Sequence, residues 1–135
     1  MDPTSGRPPH LSALSPPQQR PEETLLYAAL RARQDQMDPL DNFTIAVQPW
    51  IAIRNGRVFR PDFVVTLRSA WAIEIDGTSH RGRYAADRSK DELLTDHNLS
   101  VLRISVEDTE NPDLVEDWVD RIVSRARRFQ WTGAA

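Results

Sequence analysis

The chain has 135 residues, a formal net charge of −3 and no cysteine. This length favours one domain that is large enough to bury a core without covalent cross-links. The lack of cysteine excludes disulfides and thiolate metal sites, and no apolar run approaches the ~18 residues that would cross a bilayer. The slightly acidic balance argues against binding nucleic acid by charge alone, so such a partner would need a local basic patch or bound cations.

Residues 1–21 hold six of the ten prolines and few apolar side chains. Proline removes backbone donors and blocks helices, so we expect a disordered, proline-rich N-terminal arm. A proline-rich ligand for a partner protein is the alternative interpretation. Because the arm has no continuous apolar stretch of the kind found in secretory signals, we expect a cytoplasmic protein.

A first helix is predicted from Pro21 onwards, in the stretch PEETLLYAALRARQ. Proline and two glutamates suit the first turn of a helix, and the apolar residues that follow recur at helical spacing on one side. We expect this helix to end at residues 38–41, which include two aspartates and a proline.

Strand-like segments separated by turn signals follow between residues 43 and 67. Asn55 and Gly56 form the strongest hairpin signal in the chain, since both residues accept the positive φ of a type I′ turn. Pro49 and Pro61 cannot donate to a ladder, so we expect them at an edge, bulge or bend.

The second half of the chain adds four elements, predicted as a strand, a helix, a strand and a closing helix over residues 70–76, 83–98, 99–107 and 111–129. Asn98 can take the left-handed conformation that ends a helix. The strand after it carries Leu102, Ile104 and Val106 on one face. The closing helix has acids early and arginines late, which suits its dipole, and its apolar side follows the helical spacing of Leu114, Val115, Trp118, Ile122 and Arg125.

The predicted order is αβββαβα. This order indicates an α/β fold of the α+β sandwich type, with a central mixed β-sheet of about four strands flanked by helices. We expect the ordered domain to cover residues 22–130, and residues 131–135 to form a flexible C-terminus.

Carboxylates stand inside two of the predicted strands. Side chains alternate along a strand, so Glu74 and Asp76 share one face, while the other face carries the apolar residues Trp71, Ile73 and Ile75. Asp62 lies opposite Glu74 on the same face only if the connecting loop has an odd number of residues, as residues 67–69 would provide.

Such a cluster of acids is costly unless its charge is compensated. Two carboxylates ~4 Å apart repel by about 4 kcal/mol at an effective dielectric constant near 20. A shared proton relieves this repulsion, and so does a hard divalent ion such as Mg²⁺, which prefers carboxylate and carbonyl oxygens. The alternative is that the acids simply end their strands in solvent, because an unpaired charge is costly to bury.

The run RPDFVV, followed by AIEIDG and a histidine, resembles the PD-(D/E)XK restriction-endonuclease-like superfamily. The chain is most similar to the compact bacterial branch related to very-short-patch-repair (Vsr-like) endonucleases. The resemblance runs from Glu23, on an acidic position of the first helix, to Arg103 in the VLRI strand. Asp76 stands where the superfamily motif has lysine, as is common in this branch, and Asn98 stands where the branch usually has glycine.

This resemblance implies a restriction-endonuclease-like fold and metal-dependent hydrolysis of DNA phosphodiester bonds, in repair, restriction or mobile-element defence. Asp62 and Glu74, with the Ile75 carbonyl, would hold Mg²⁺, or Mn²⁺ in its place. Asp76 would bind a second ion or orient the attacking water. Glu23 would act through a water in the metal shell.

The segment after the acids carries the best local basic patch. His80 would donate to a leaving oxygen or a phosphate, and a surface or capping histidine is the alternative. Basic side chains that would neutralise DNA phosphates follow at Arg81, Arg83, Arg88 and Lys90. The alternatives here are a solvated loop and helix face, and a simple Asp87–Lys90 pair one helical turn apart.

A second class of function competes with the nuclease. A catalytically silent nuclease-like domain would bind nucleic acid or a protein partner without cleaving DNA. The chain has little room for a separate recognition domain, so a protein partner or larger complex would supply specificity; monomer and homodimer both stay open, and we expect no membrane association. The late arginines are expected to complement the helix dipole, with DNA contact as the alternative, at Arg121, Arg125, Arg127 and Arg128.

Overall fold

The structure, a computed structural model, describes residues 20–53, 56–77 and 98–129. The predicted N-terminal arm, apart from residues 20 and 21, lies outside the described residues, and so does the predicted C-terminal segment 131–135. The helix predicted at residues 83–98 also lies outside them, except for its last residue.

The first helix begins later than the sequence pattern indicated. Pro21–Glu23 form a short 3₁₀ turn, and helix α1 runs over Leu25–Gln36. The Thr24 side chain accepts a hydrogen bond from the Tyr27 amide at 3.1 Å, so this threonine caps α1. The predicted start at Pro21 was therefore wrong by one turn, because the proline begins a separate turn that leads into the threonine cap.

The strands that the structure describes form one four-stranded sheet and a separate two-stranded hairpin. Their bounds are β1 Thr44–Val47, β2 Ile51–Ala52, β3 Val58–Phe59, β4 Phe63–Thr66, β5 Ala70–Asp76 and β6 Leu99–Ser105. The large sheet has the order β1-β4-β5-β6, and only its last pair, β5 with β6, is parallel. The predicted mixed sheet of about four strands is thus confirmed, and β2 and β3 form the predicted hairpin outside it.

The backbone agrees with the local predictions for Gly56, Asn98 and the two prolines. The predicted two-residue type I′ turn is wrong, because Ile51 pairs with Phe59 and Ala52 with Val58, which leaves an odd number of residues in the connection. Gly56 has φ of +70° in the β2–β3 connection, and Asn98 has φ of +60° directly before β6. Pro49 and Pro61 lie between strands, not within them. Each conformation follows from the residue itself, because glycine and asparagine tolerate the left-handed region and proline cannot donate to a ladder.

The C-terminal part ends in two helices. The strand predicted to continue through Glu107 stops at Ser105, whose hydroxyl caps the short helix α2, Val106–Thr109. Helix α3 runs over Pro112–Arg127 and buries the residues Val115, Val119, Ile122, Val123 and Ala126. Of the helices that the structure describes, none has the length and apolarity needed to cross a membrane.

The sheet is covered on both faces. The helix face, which includes Phe63, Val65 and Ile73, belongs to the core that also contains residues of α1 and α3. The hairpin face, which includes Val64 and Ala72, packs with residues of the β2–β3 hairpin. The other members of this second cluster are Ile51, Ile53, Phe59, Ala70, Leu99 and Val101. Because strand residues alternate, Glu74 and Asp76 lie on the hairpin face. The expectation that Trp71, Ile73 and Ile75 point to the opposite face, in the core, is confirmed.

An arginine joins the two long helices at the surface. Arg33 of α1 contacts two acids of α3, Glu116 at 3.1 Å and Asp120 at 2.7 Å. The hydrogen bond from Arg33 to Asp120 is the main cause that raises the pKa of this guanidinium above its usual value. This exposed cluster of one arginine and two acids provides a comparison for a second such cluster on the sheet.

Candidate acidic site

The strand register places Asp62 beside Glu74. Strands β4 and β5 pair from Thr66 with Ala70 to Phe63 with Ile73, so the connection has the three residues 67–69. This is the odd-numbered connection that the pairing requires. The same register, continued by one pair, sets Asp62 opposite Glu74 at the end of β5 where Asp76 also lies.

The Asp62 carboxylate is held in place by the backbone of β5. Its Oδ2 accepts a hydrogen bond from the Ile75 amide at 2.7 Å. The Asp62 carbonyl oxygen also accepts from the Gln48 amide at 2.9 Å. A carboxylate that accepts a short bond from a backbone N–H is fixed in orientation, and such charge-assisted bonds are stronger than neutral ones. Asp62 is therefore tied to the backbone of β5 through its side chain and to that of Gln48 through its carbonyl.

Glu74 and Asp76 share one cation. Arg103 of β6 is the direct neighbour of Glu74 in the parallel pair. Its Nη2 lies 3.4 Å from Glu74 Oε2, and its Nε lies 3.7 Å from Asp76 Oδ2. The Glu74 side chain is 16% exposed and the other two are 28% exposed.

The arginine compensates much of the repulsion between these acids. Opposite charges ~4 Å apart attract by about 4 kcal/mol at an effective dielectric constant near 20, before the discount that partial exposure requires. One guanidinium between the two carboxylates of Glu74 and Asp76 leaves this group with a net negative charge. The acids therefore do not simply end in solvent, and a cation already stands next to two of them.

The arrangement stops short of a formed metal site. Within residues 20–53, 56–77 and 98–129, no three histidine, cysteine, aspartate or glutamate side chains converge into a group that could hold a metal ion. As described, Asp62 engages a backbone amide, whereas Glu74 and Asp76 engage Arg103. Ile75 stands between these two acids, with its amide bound to Asp62.

Glu23 precedes helix α1, which packs on the helix face of the sheet. It is an exposed residue of the 3₁₀ turn before α1. One helical turn later, the Tyr27 ring stacks on Phe63 with the centroids 5.5 Å apart, on the helix face. Helix α1 therefore approaches the strand directly after Asp62, but from the face opposite Glu74. A role for Glu23 through a bound water stays a prediction.

The predicted basic patch cannot be placed. His80, Arg81, Arg83, Arg88 and Lys90 all lie outside the described residues. Their expected roles at a leaving oxygen or at DNA phosphates stay predictions from the sequence.

An exposed aromatic residue is connected to Asp62 through Arg60 and Gln48. The Trp50 ring is stacked by the Arg60 guanidinium, whose central carbon lies 4.7 Å from the ring centroid, and Trp50 is 51% exposed. Arg60 also donates to the Gln48 carbonyl at 2.9 Å, and Gln48 binds the Asp62 carbonyl. Gln48 has a φ of 46°, an unusual value for a residue other than glycine. These contacts link the exposed pair of Trp50 and Arg60 to the backbone of Asp62.

A basic cavity lies at the other end of β5. It has a volume of ≈ 280 Å³ and is lined by Ser69, Trp71, Arg125, Arg128 and Phe129. The Arg125 guanidinium stacks on Trp71 at 5.3 Å, and Phe129 is 80% exposed. Among the residues that the structure describes, no carboxylate forms an ion pair with Arg125 or Arg128. Trp71 precedes Asp76 by five residues, about 17 Å along an extended strand.

Sequence reasoning treated Arg103 only as part of a strand motif and missed its contact with the acids. A usable signal existed, since strand alternation separates Arg103 from Leu102 and Ile104 and directs it to the other face. What the pattern could not supply was the parallel register that aligns Arg103 with Glu74.

No protein-family profile matches the chain, and neither a curated protein nor a solved structure matches it. Membership of the restriction-endonuclease-like superfamily therefore stays a prediction from the sequence motifs.

Proposed function

We propose that the protein is a metal-dependent endonuclease that hydrolyses DNA phosphodiester bonds at the acidic site. The observation that carries this proposal is the hydrogen bond from the Ile75 amide to Asp62. It fixes the Asp62 carboxylate beside the end of β5, the strand that carries Glu74 and Asp76. A mixed four-stranded sheet flanked by helices supports the proposal as well, because it agrees with the restriction-endonuclease-like fold that the motifs imply.

The chemistry of these residues fits a divalent cation. Carboxylate oxygens are the ligands that Mg²⁺ and Mn²⁺ prefer, and the cluster already attracts a positive group, the Arg103 guanidinium, as a stand-in ion. Asp62, Glu74 and the Ile75 carbonyl would hold the ion. When bound, it supplies Lewis-acid polarisation of a phosphoryl oxygen and makes a water a better nucleophile.

The protein's own groups have distinct tasks in this proposal. The Ile75 amide orients the Asp62 carboxylate, so this acid needs little reorganisation when substrate arrives. Asp76 orients the attacking water or holds a second ion, and Glu23 acts through a water. Outside the described residues, His80 is proposed to donate a proton to the leaving oxygen.

The direct test of the proposal is a cleavage assay on plasmid and oligonucleotide DNA. We expect the purified protein to cut DNA with Mg²⁺ or Mn²⁺ and to stop when EDTA is added. The double variant Asp62→Asn with Glu74→Gln, purified in the same way, is the control for a contaminating nuclease. The absence of any cleavage with either metal, over a range of DNA structures, would contradict the nuclease assignment.

The change Asp76→Asn separates chemistry from binding. It retains shape and removes one charge, so we expect single-turnover cleavage to fall by about 10- to 100-fold or more. DNA affinity should hold or improve, since the phosphate meets less repulsion. The matched control is Asp117→Asn, an exposed acid on α3. Wild-type cleavage by the Asp76→Asn protein would show that this acid is not catalytic.

The alternative function is a silent nuclease-like domain that binds nucleic acid, and the basic cavity supports it. Two arginines there lack carboxylate partners among the described residues, and two aromatic rings border them. Cationic groups beside exposed aromatic rings suit phosphate contact and base stacking. Such a site would bind nucleic acid whether or not the acids catalyse hydrolysis.

Binding at this cavity is tested by the double change Arg125→Gln with Arg128→Gln. We expect the affinity for single-stranded DNA in EDTA to fall by about tenfold. The salt dependence should flatten by up to about one unit of slope for each phosphate that the variant no longer neutralises. Arg121→Gln is the control, because Arg121 lies on the same helix and stacks on Trp118, outside the cavity. Equal binding by the double variant and wild type would exclude the cavity as a DNA-binding surface.

A further inference from the structure

Arg103 occupies the position that a cation of the acidic site would be expected to take. It reaches across from β6 to both Glu74 and Asp76 on the hairpin face. All three side chains are largely shielded from water, with 16% to 28% of each exposed. Solvent therefore screens these charges only in part, and a second cation at the same oxygens would repel the guanidinium.

The ion pairs of Arg103 with Glu74 and Asp76 are longer than the hydrogen bond between Asp62 and the Ile75 amide. The distances of 3.4 and 3.7 Å exceed the 2.7–2.9 Å that is usual for a charge-assisted hydrogen bond, whereas Asp62 meets the Ile75 amide at 2.7 Å. One acid thus accepts from the backbone, and the other two form ion pairs with a side chain. An exchange of cations at Glu74 and Asp76 needs no movement of the sheet.

We propose that Arg103 is the resident counter-cation of the acidic site and that a divalent ion binds by displacing it from Glu74 and Asp76. Arg103 is then a positioning residue that keeps the acids in place when no metal is bound and sets how tightly metal binds. This inference rests on the proposed metal-dependent function and adds its regulation by an internal competitor.

The test compares Mg²⁺ and Mn²⁺ binding by isothermal titration calorimetry, without DNA, in the wild type, Arg103→Gln and Arg103→Lys. Removal of the competing charge should tighten metal binding in Arg103→Gln by about three- to tenfold. Arg103→Lys keeps the charge and should bind metal about as the wild type does. The melting temperature without metal should be lower in Arg103→Gln, because both acids lose their ion pair with Arg103.

Arg33→Gln provides the matched control. Arg33 also bridges two acids, Glu116 and Asp120, but on the outside of the helices. Its loss should lower the melting temperature slightly and leave metal affinity unchanged.

The outcomes separate this inference from the proposed function. If the wild type binds metal and Arg103→Gln binds it no more tightly, the counter-cation role is overturned, and the proposal of a metal site is retained. Binding by Arg103→Gln alone would support the role and show that the arginine blocks the site. No binding by any variant at millimolar metal would overturn both.

Discussion

The change Asp62→Asn is expected to abolish metal-dependent cleavage while the protein stays folded. Asparagine retains one oxygen that can accept from the Ile75 amide, so the hydrogen bond observed at 2.7 Å can persist. It replaces the second carboxylate oxygen with an NH₂ group and removes the negative charge. We therefore expect single-turnover cleavage to fall about a hundredfold or more, since the metal loses a carboxylate ligand.

A second change at the same residue separates the two roles of Asp62. Asp62→Ala removes the metal ligand and also leaves the Ile75 amide without this acceptor, which costs about 1–3 kcal/mol of unfolding free energy at a buried group and less at this half-buried one. Urea unfolding should show Asp62→Ala less stable than Asp62→Asn, with both inactive. If Asp62→Asn cleaves DNA at the wild-type rate, the Asp62 carboxylate is not required for catalysis.

The change Glu74→Ala is expected to eliminate stabilisation by metal. An ion that binds only the folded protein raises stability by mass action, by about 2.7 kcal/mol at a hundred times its dissociation constant. Without Glu74 the cation site loses a carboxylate, and Arg103 retains Asp76 as its partner. We therefore expect millimolar Mg²⁺ or Mn²⁺ to raise the melting temperature of the wild type and to leave that of Glu74→Ala unchanged.

Glu116→Ala is the matched control for this experiment. Glu116 is likewise one of two acids that share an arginine, Arg33, but it is far more exposed, at 68% against 16% for Glu74. Glu116→Ala should keep the metal-dependent shift. An equal shift in Glu74→Ala and the wild type would show that metal binds elsewhere or without this acid.

The proposed catalysis and the proposed counter-cation share a physical requirement. The sheet must hold negative charges close together before metal or substrate is present, and such charges repel one another. The structure meets this requirement in two ways, with a backbone amide for Asp62 and a guanidinium for Glu74 and Asp76. One acid bound to the backbone and two acids paired with an arginine side chain are a suitable basis for the proposed site, in which an ion would replace that arginine.

Much of the local structure could be predicted from the sequence alone. The alternation in residues 70–76 correctly separated the core residues Trp71, Ile73 and Ile75 from Glu74 and Asp76. The positive φ of Gly56 and the left-handed conformation of Asn98 were predicted as well. These features depend on the backbone preferences of single residues and on the two-residue period of a strand, which are local properties. The start of α1 was misplaced, because proline and threonine both mark helix starts and only the folded backbone shows which of them caps the helix.

The environment of the acids was decided by tertiary structure. Strand alternation put Glu74 and Arg103 each on a face of its own strand, but only the parallel register of β5 and β6 placed them side by side. In the same way, the odd-numbered loop allowed Asp62 to meet Glu74, and the folded chain directed its carboxylate to the Ile75 amide. Register between distant strands depends on the packing of the whole sheet against its helices and hairpin, because a slip of one residue would exchange the two faces. For this reason, residue patterns could identify the acids, and only the assembled sheet could identify the cation that holds them.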